Sequence, residues 1–387
     1  MKVVVVGAGY AGTFAANRVA RKVKGAEVTV VNARPEFVER IRLHQQVAGT
    51  GVAATPLTSM LRGSIASRVG TVERIGDGTV TLADGESLGF DRLFLAVGST
   101  VRPLAGTVPV GTWEGAQQAR TALAALPAGA TVTVVGGGPT GIETATEVAE
   151  ARPGLRVRLV APAVADCLSG AARQRALAAL DRLGVEVVGD GVEEVVGAAA
   201  AVGAKGATGA VGAVGAVGLG GAAGEEGAGR FRGVLRLRSG REAGSDLTLW
   251  AIVSGVPELA ARSGLEVDAE GRVVVDEFLR SVTDERIFAV GDCAAVPGAR
   301  FGCQTAAPQA RAAADALARL AGGRTPEPYS LHYVARCVSL GHKDAVAQFT
   351  HRDDSLRDRY IKGRTATAFK GIVFSGTRYI SRKGAGA

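Results

Sequence analysis

The sequence predicts an α/β protein built from two Rossmann-like, doubly wound dinucleotide-binding domains. Three observations carry this. A valine run, Val3 to Val6, leads into Gly7-Ala-Gly9-Tyr10-Ala11-Gly12. A second β-branched run, Thr131 to Val135, leads into Gly136-Gly-Gly138-Pro139-Thr140-Gly141. A helix-forming stretch follows each. In such a turn the first glycine permits the tight bend and the second lets the backbone approach a pyrophosphate. The third lets the helix pack closely on the strand, and the helix N-terminus then faces the phosphates. One such hexapeptide is a weak signal, because glycine is common. Two, each between strand and helix, predict two dinucleotides in one chain and a hydride exchanged between them. A duplicated scaffold that has lost one ligand is the alternative.

The elements follow in order. The first fingerprint feeds a helix from about Ala11 to Lys22, then a strand from Glu27 that ends at Asn32. Arg34 to Leu61 holds a dense polar cluster with Arg40, Arg42, His44 and Gln45. A histidine there suits proton relay; charges on the surface of an amphipathic helix are the plainer reading. Asp91 to Gly98 reads as a buried strand through Ala96 with a glycine turn, and Trp113 to Leu126 as a linking helix ended by Pro127.

Beyond the second fingerprint come a strand over Arg156 to Val160, a helix over Ala171 to Leu183 and a strand over Val185 to Val188. Residues 197–229 then hold 12 Gly and 12 Ala in 33 positions. With almost nothing to bury, that tract is expected to be a mobile loop, an expanded hairpin connection with no chemistry of its own. A strand from Gly233 follows, then a buried strand from Thr248 to Gly255 and a hairpin around Gly271. Arg286 to Gly291-Asp292 is a short strand ending in a turn. Gln304 to Leu320 is an alanine-rich helix with Pro308 in its first turn.

The length of 387 residues suits two or three domains. No apolar run reaches the roughly 18 to 20 residues a membrane span needs, and the N-terminal run stops at once in a glycine turn, unlike a signal peptide. A cytoplasmic protein is expected. Cys167, Cys293, Cys303 and Cys337 form no C-x-x-C pair and no metal-ligand spacing, so no metal is expected and small buried thiols are the plain reading. Of the net charge of +8, residues 351–387 carry +6, from nine Lys or Arg against three Asp. The mix of apolar and basic residues from Phe369 to Lys383 suits peripheral contact with the inner face of the cell membrane; a packed helix with a wet basic face is the alternative. Nothing interleaves aromatic and basic residues as a nucleic-acid platform would.

With these motifs in this order, the chain resembles the two-dinucleotide-binding-domain flavoproteins, most closely the type II NADH:quinone oxidoreductases and their apoptosis-inducing-factor-like relatives. The carriers are the two fingerprints, the Gly98 turn, Glu143, Thr248-Leu-Trp-Ala, the Leu265 to Asp276 hairpin and Phe288-Ala-Val-Gly-Asp292. The resemblance implies that the NAD(P)-binding domain is inserted into the FAD-binding one: residues 1–112 and 268–323 for FAD, 113–267 for NADH or NADPH, and 324–387 as a small basic C-terminal region. It implies FAD contacts at Gly7, Gly9, Tyr10, Ala11, Gly12, Asn32, Ala33, Arg42, Ala96, Gly98, Gly291, Asp292, Gln304 and Thr305. The Asp292 carboxylate would hold the ribityl chain, and the helix after it would point its N-terminus at the flavin ring.

NAD(P)H would meet Gly136, Gly138, Pro139, Thr140, Gly141, Ala161 and Gly255. Glu143, His44 and Gln304 are the implied catalytic residues, with Glu143 orienting the hydride donor and Gln304 and Gln309 standing where relatives place glutamines by the quinone. Arg336 and Lys343 are further candidates for the flavin pocket. The sequence departs from the pattern at the two ribose-reading positions, each 25 residues past the first glycine of its fingerprint. Asn32 and Ala161 stand there in place of an acid, so the choice between NADH and NADPH is open. The expected function is an FAD-dependent NAD(P)H dehydrogenase reducing a quinone-like or specialised aromatic small molecule, with a homodimer as one expected assembly. A biosynthetic oxidoreductase and a signalling or nucleic-acid-binding protein are the rivals.

Overall fold

The computed structural model describes residues 1–197 and 231–384. Strand β1 (Lys2–Val6) runs into α1 (Tyr10–Lys22) and β2 (Glu27–Asn32), followed by α2 (Leu43–Ala48), β3 (Ala66–Val69) and β4 (Arg92–Leu95). Next come β5 (Val108–Pro109), α3 (Trp113–Ala125), β6 (Thr131–Val135), α4 (Pro139–Ala151), β7 (Arg156–Val160), α5 (Gly170–Arg182) and β8 (Glu186–Val188). Then β9 (Val192–Val196), β10 (Gly233–Leu237), β11 (Glu242–Ser245) and β12 (Leu247–Trp250) complete that part. The chain returns as β13 (Ile287–Ala289) and α6 (Cys303–Ala321). It closes with β14 (Ala335–Ser339), β15 (Ala345–Thr350), β16 (Leu356–Lys362) and α7 (Gly363–Lys383).

Two five-stranded parallel sheets result. The first has the order β13-β4-β1-β2-β3, the second β5-β12-β6-β7-β8. The first sheet draws on segments before and after the stretch that makes the second. Each fingerprint strand is central, with the next strand in sequence on one side and a later one on the other. That is the switch point where open parallel sheets bind ligands at the carboxyl ends of their strands. The valine runs are explained by burial on both faces: Val3 to Val6 are at most 4% exposed.

Strands β9 and β10 pair antiparallel, with Val196 opposite Val234, which fits the expected hairpin; of the expected mobile loop, residues 197–229, all but Gly197 lie outside the described residues. The hairpin around Gly271 is a tight turn, with the Asp268 amide donating to the Arg272 carbonyl at 2.8 Å. One expectation fails. Helix α6 starts at Cys303, so Pro308 falls in its second turn, where it has no N–H to offer the Gln304 carbonyl.

The C-terminal region is more than a charged tail. Strands β14, β15 and β16 form an antiparallel sheet, and α7 packs on β15 and α1. Its end is tied down: Asn17 Nδ2 donates to the Ser381 carbonyl at 2.8 Å and Arg18 Nη1 to the Gly384 carbonyl at 3.2 Å. Ala366, Lys370 and Ser381 face inward, while Ile372 and Tyr379 are exposed. Among the described residues, no helix is long and apolar enough to cross a membrane.

Candidate active site

The first turn is built by close approach. Gly7 has φ +95°, and a Cβ there would lie 2.4 Å from the Ala96 carbonyl oxygen. A Cβ on Gly12 would lie 1.9 Å from the Gly7 carbonyl oxygen, whereas one on Gly9 would meet nothing within 4 Å. So Gly7 and Gly12 are fixed by packing, and Gly9 leaves open space at the N-terminus of α1. Asn32 closes the turn: its Oδ1 accepts from the Ala8 amide at 3.0 Å, and its Nδ2 donates to the Arg34 carbonyl at 2.7 Å. Ala33 follows it directly.

Gly291 and Asp292 come to the same place, since a Cβ on Gly291 would sit 3.4 Å from Ala11 Cβ. Asp292 Oδ2 accepts from Ser99 Oγ at 2.6 Å, and Oδ1 accepts from the Gly302 amide at 2.9 Å. Arg40 braces this corner from Gly98 to Gly111: its Nη1 donates to the Ser99 carbonyl and its Nε to the Gly111 carbonyl. Gln309 Oε1 accepts from the Gly291 amide at 2.6 Å. Gln309 is thus an anchor for this turn. Gln304 and Thr305 lie in the first turn of α6, with Thr305 Oγ1 donating to the Gly302 carbonyl. Gln304 Oε1 and Gln309 Nε2 are buried without a hydrogen-bond partner. Buried polar atoms of this kind normally have one, so the open Gly9 cradle and these two atoms fit a large polar ligand such as FAD.

The second turn repeats the first. Gly136 has φ +130°, a Cβ on Gly141 would lie 1.8 Å from the Gly136 carbonyl oxygen, and one on Gly138 would meet nothing within 4 Å. Pro139 and Thr140 open α4. Ala161 sits at the end of β7 with its Cβ 2.9 Å from where a Cβ on Gly137 would be. It faces the middle of its turn as Asn32 faces Ala8. Gly255 pairs with Thr100, the Thr100 amide donating to its carbonyl at 2.8 Å.

Glu143 and His44 are brought together. Glu143 Oε2 lies 3.6 Å from His44 Nδ1, and Oε1 accepts from the Ser339 amide at 2.9 Å and from Lys370 Nζ. All three ionisable side chains are buried. Burial pushes the Glu143 carboxyl up, but Lys370, His44 and the Ser339 amide outweigh it and hold it below the usual range. Burial pulls His44 down to about 4 against the attraction of Glu143, helped by Lys370 and Arg42. His44 is therefore a neutral imidazole near pH 7.

Other candidates turn elsewhere. Arg42 Nε donates to Gln45 Oε1 at 2.9 Å. Arg336 is held by Asp354 Oδ2 at 2.7 Å and by the Cys167 carbonyl. Cys293 is buried, with burial pushing its thiol up to about 11, but Cys303 is exposed at the start of α6. Lys370, Ser99 and Ser339 were not among the sequence candidates. Lys370 alone had a usable signal, a lone lysine between Phe369 and Ile372 in an otherwise apolar stretch.

A family model described as pyridine nucleotide-disulphide oxidoreductase matches residues 1–316. An NADH dehydrogenase-like protein of Mycobacterium tuberculosis is 31% identical over 320 residues, covering 76% of this chain and 73% of that protein. The sulfide:quinone oxidoreductase of Aquifex aeolicus has a similar structure, with a TM-score of 0.73 at 17% identity over 99% of this chain and 92% of that one. NDH2 from Plasmodium falciparum, solved in complex with NADH, gives 0.73 at 14% identity over 99% and 96%. The last two likenesses concern the fold.

Proposed function

We propose that this chain, which belongs to the pyridine nucleotide-disulphide oxidoreductase family, is an NAD(P)H dehydrogenase that reduces a small quinone-like acceptor. FAD and NAD(P)H are the family's cofactors. Bound FAD supplies a centre that takes a hydride from NAD(P)H and releases the electron pair to a second substrate. In this reading residues 1–112 and 268–323 hold FAD and residues 113–267 hold NAD(P)H.

The observation that carries the reading is the convergence on Glu143. His44 comes from α2, Glu143 from the helix behind the second fingerprint, and Lys370 from the C-terminal helix. Such buried, mutually perturbed ionisable groups between nucleotide turns are expected at a reacting centre. Glu143, kept ionised by Lys370, accepts a hydrogen bond from the hydride donor and orients it. His44, kept neutral, takes or gives a proton. Asp292 and the Gly9 turn fasten the flavin, and Gln304 faces the acceptor. The exposed Ile372, Val373 and Tyr379, flanked by Arg382 and Lys383, suit peripheral contact with an anionic membrane that dissolves the acceptor.

The test starts with the visible spectrum of the purified protein. A bound flavin should bleach under nitrogen on adding NADH or NADPH, and recover on adding a short-chain quinone. Protein without flavin, or flavin that neither nucleotide bleaches, overturns the reading. Recovery with a specialised aromatic substrate and not with quinones would replace the acceptor.

A further inference from the structure

Glu147 is a carboxylate that the reading above does not use. It is 2% exposed. Among the described residues no lysine or arginine pairs with it. Its two partners are Thr50 Oγ1, which donates to Oε1, and His342 Nδ1, 3.5 Å from the same oxygen. A buried carboxylate with no fixed cation is costly, so its place in the fold calls for a reason.

The surroundings supply one. Glu143 and Glu147 are four residues apart on α4, so they share a helix face with about 5 to 6 Å between their Cβ atoms. Two other segments each touch both carboxylates. The segment of α2 and its end offers His44 to Glu143 and Thr50 to Glu147. The segment from the end of β14 into the following turn offers the Ser339 amide to Glu143 and His342 to Glu147. His342 itself is 41% exposed. A row of ionisable groups thus runs inward from solvent through His342 and Glu147 to Glu143 and His44, with one helical turn between the two carboxylates.

We propose that His342 and Glu147 are the entrance of a proton path from solvent to the Glu143–His44 centre. The inference rests on the reading of a quinone-like acceptor. NAD(P)H gives a hydride, which is two electrons and one proton. An acceptor with two oxygens to be protonated needs one proton more: NAD(P)H + H⁺ + acceptor → NAD(P)⁺ + acceptor-H₂. That proton binds His342 at Nε2 from water. The proton on Nδ1 passes to Glu147 Oε1, and from Glu147 it moves one helical turn to the inner pair. Thr50 holds the Glu147 carboxyl in place. The other charged groups facing this row are Glu150, which accepts from the His342 amide at 2.5 Å, Lys370 and Arg42; Asp344 beside it is held by Arg175 and Arg182.

Two measurements test this. The first compares the His342 ring signals by NMR at one fixed pH, assigned through His342→Gln. In Glu147→Gln those signals should move, because the carboxylate 3.5 Å from Nδ1 has gone. The second compares acceptors. In His342→Gln and Glu147→Gln, turnover with a short-chain quinone should fall about tenfold or more, while ferricyanide, which takes electrons only, stays within about twofold. Imidazole added to His342→Gly should restore quinone turnover. Unchanged quinone turnover in both variants overturns the path, as does equal loss with ferricyanide, which marks a structural role. His342 is part-exposed, so its variants carry the test where Glu147→Gln fails to fold. A wild type that reduces ferricyanide but no quinone defeats the proposed function; the path then stands or falls on whether the His342 ring signals respond to Glu147→Gln.

Discussion

His44 Nδ1 lies 3.6 Å from Glu143 Oε2. The contact joins α2 to the helix behind the second fingerprint, and it pairs a neutral ring with an ionised carboxyl. His44 is 5% exposed, and burial, Lys370 and Arg42 together overcome Glu143 and leave it titrating at about 4. A neutral imidazole can accept a proton during turnover and return it, which a permanently charged one cannot.

This has a consequence for stability. An unfolded histidine titrates near about 6.5, so the folded value is depressed. Between the two values the unfolded state binds more protons, and stability rises with pH. The contribution is present above about 6.5 and is lost as pH falls toward 4, by up to about 3 kcal/mol. His44→Gln should flatten that part of the profile. The check is the melting temperature of both proteins from pH 4.5 to 7.5. Parallel profiles would mean that His44 is not buried as a neutral ring.

Lys370 and Glu143 should behave as a unit. Removing one partner of a buried pair leaves an uncompensated charge and costs about 3 to 5 kcal/mol, whereas removing both is far milder. Lys370→Met should therefore lower the denaturation midpoint strongly, and Lys370→Met with Glu143→Gln should recover most of it. Additive losses would show that the two do not interact in solution.

How far the sequence foretold this depends on whether the signal was local. The valine runs and fingerprint glycines were readable because strand, turn and helix impose their demands within about a dozen residues. Gly7 and Gly12 answer to carbonyls they pack against, and those constraints select glycine by itself. The pairing of Glu143 with Lys370 spans 227 positions, and no spacing rule reaches that far. The C-terminal sheet was missed for another reason. In β16 all seven residues, Leu356 to Lys362, are exposed or half-buried, so the segment reads as solvated charge rather than as a strand. Asn32 was singled out as a ribose-reading position, whereas in the folded turn its amide is engaged by Ala8 and Arg34.

Asp292 bridges Ser99 and the Gly302 amide at the mouth of the first sheet. Replacing it with Ala removes a charged acceptor, worth roughly 1.5 to 3 kcal/mol. Asp292→Ala should purify with much less flavin and need roughly ten- to hundredfold more FAD for half-saturation. Flavin content by absorbance and titration of the stripped protein decide it. Full, tightly held flavin in the variant would remove Asp292 from the binding set.

The last prediction concerns nicotinamide choice. Ala161 stands to Gly137 as Asn32 stands to Ala8, so its side chain starts at the strand end and points across the turn. At this position in the fold an acid reads the ribose 2′-hydroxyl and repels a 2′-phosphate. Alanine does neither, and Arg158 on β7 is already held by Glu186 at 2.7 Å. The wild type should therefore discriminate weakly, by about 1 to 2 kcal/mol, or roughly five- to thirtyfold in kcat/KM. Gly137 offers no side chain to block a longer residue, so Ala161→Glu can extend over the turn. It gains a hydrogen bond to the 2′-hydroxyl and sets a carboxylate against the 2′-phosphate, and both move preference toward NADH. Flavin reduction rates against concentration, for both nucleotides and both proteins, give the ratio. A ratio that does not rise, in a variant that melts as the wild type does, places the ribose away from Ala161 and requires another register for the second turn.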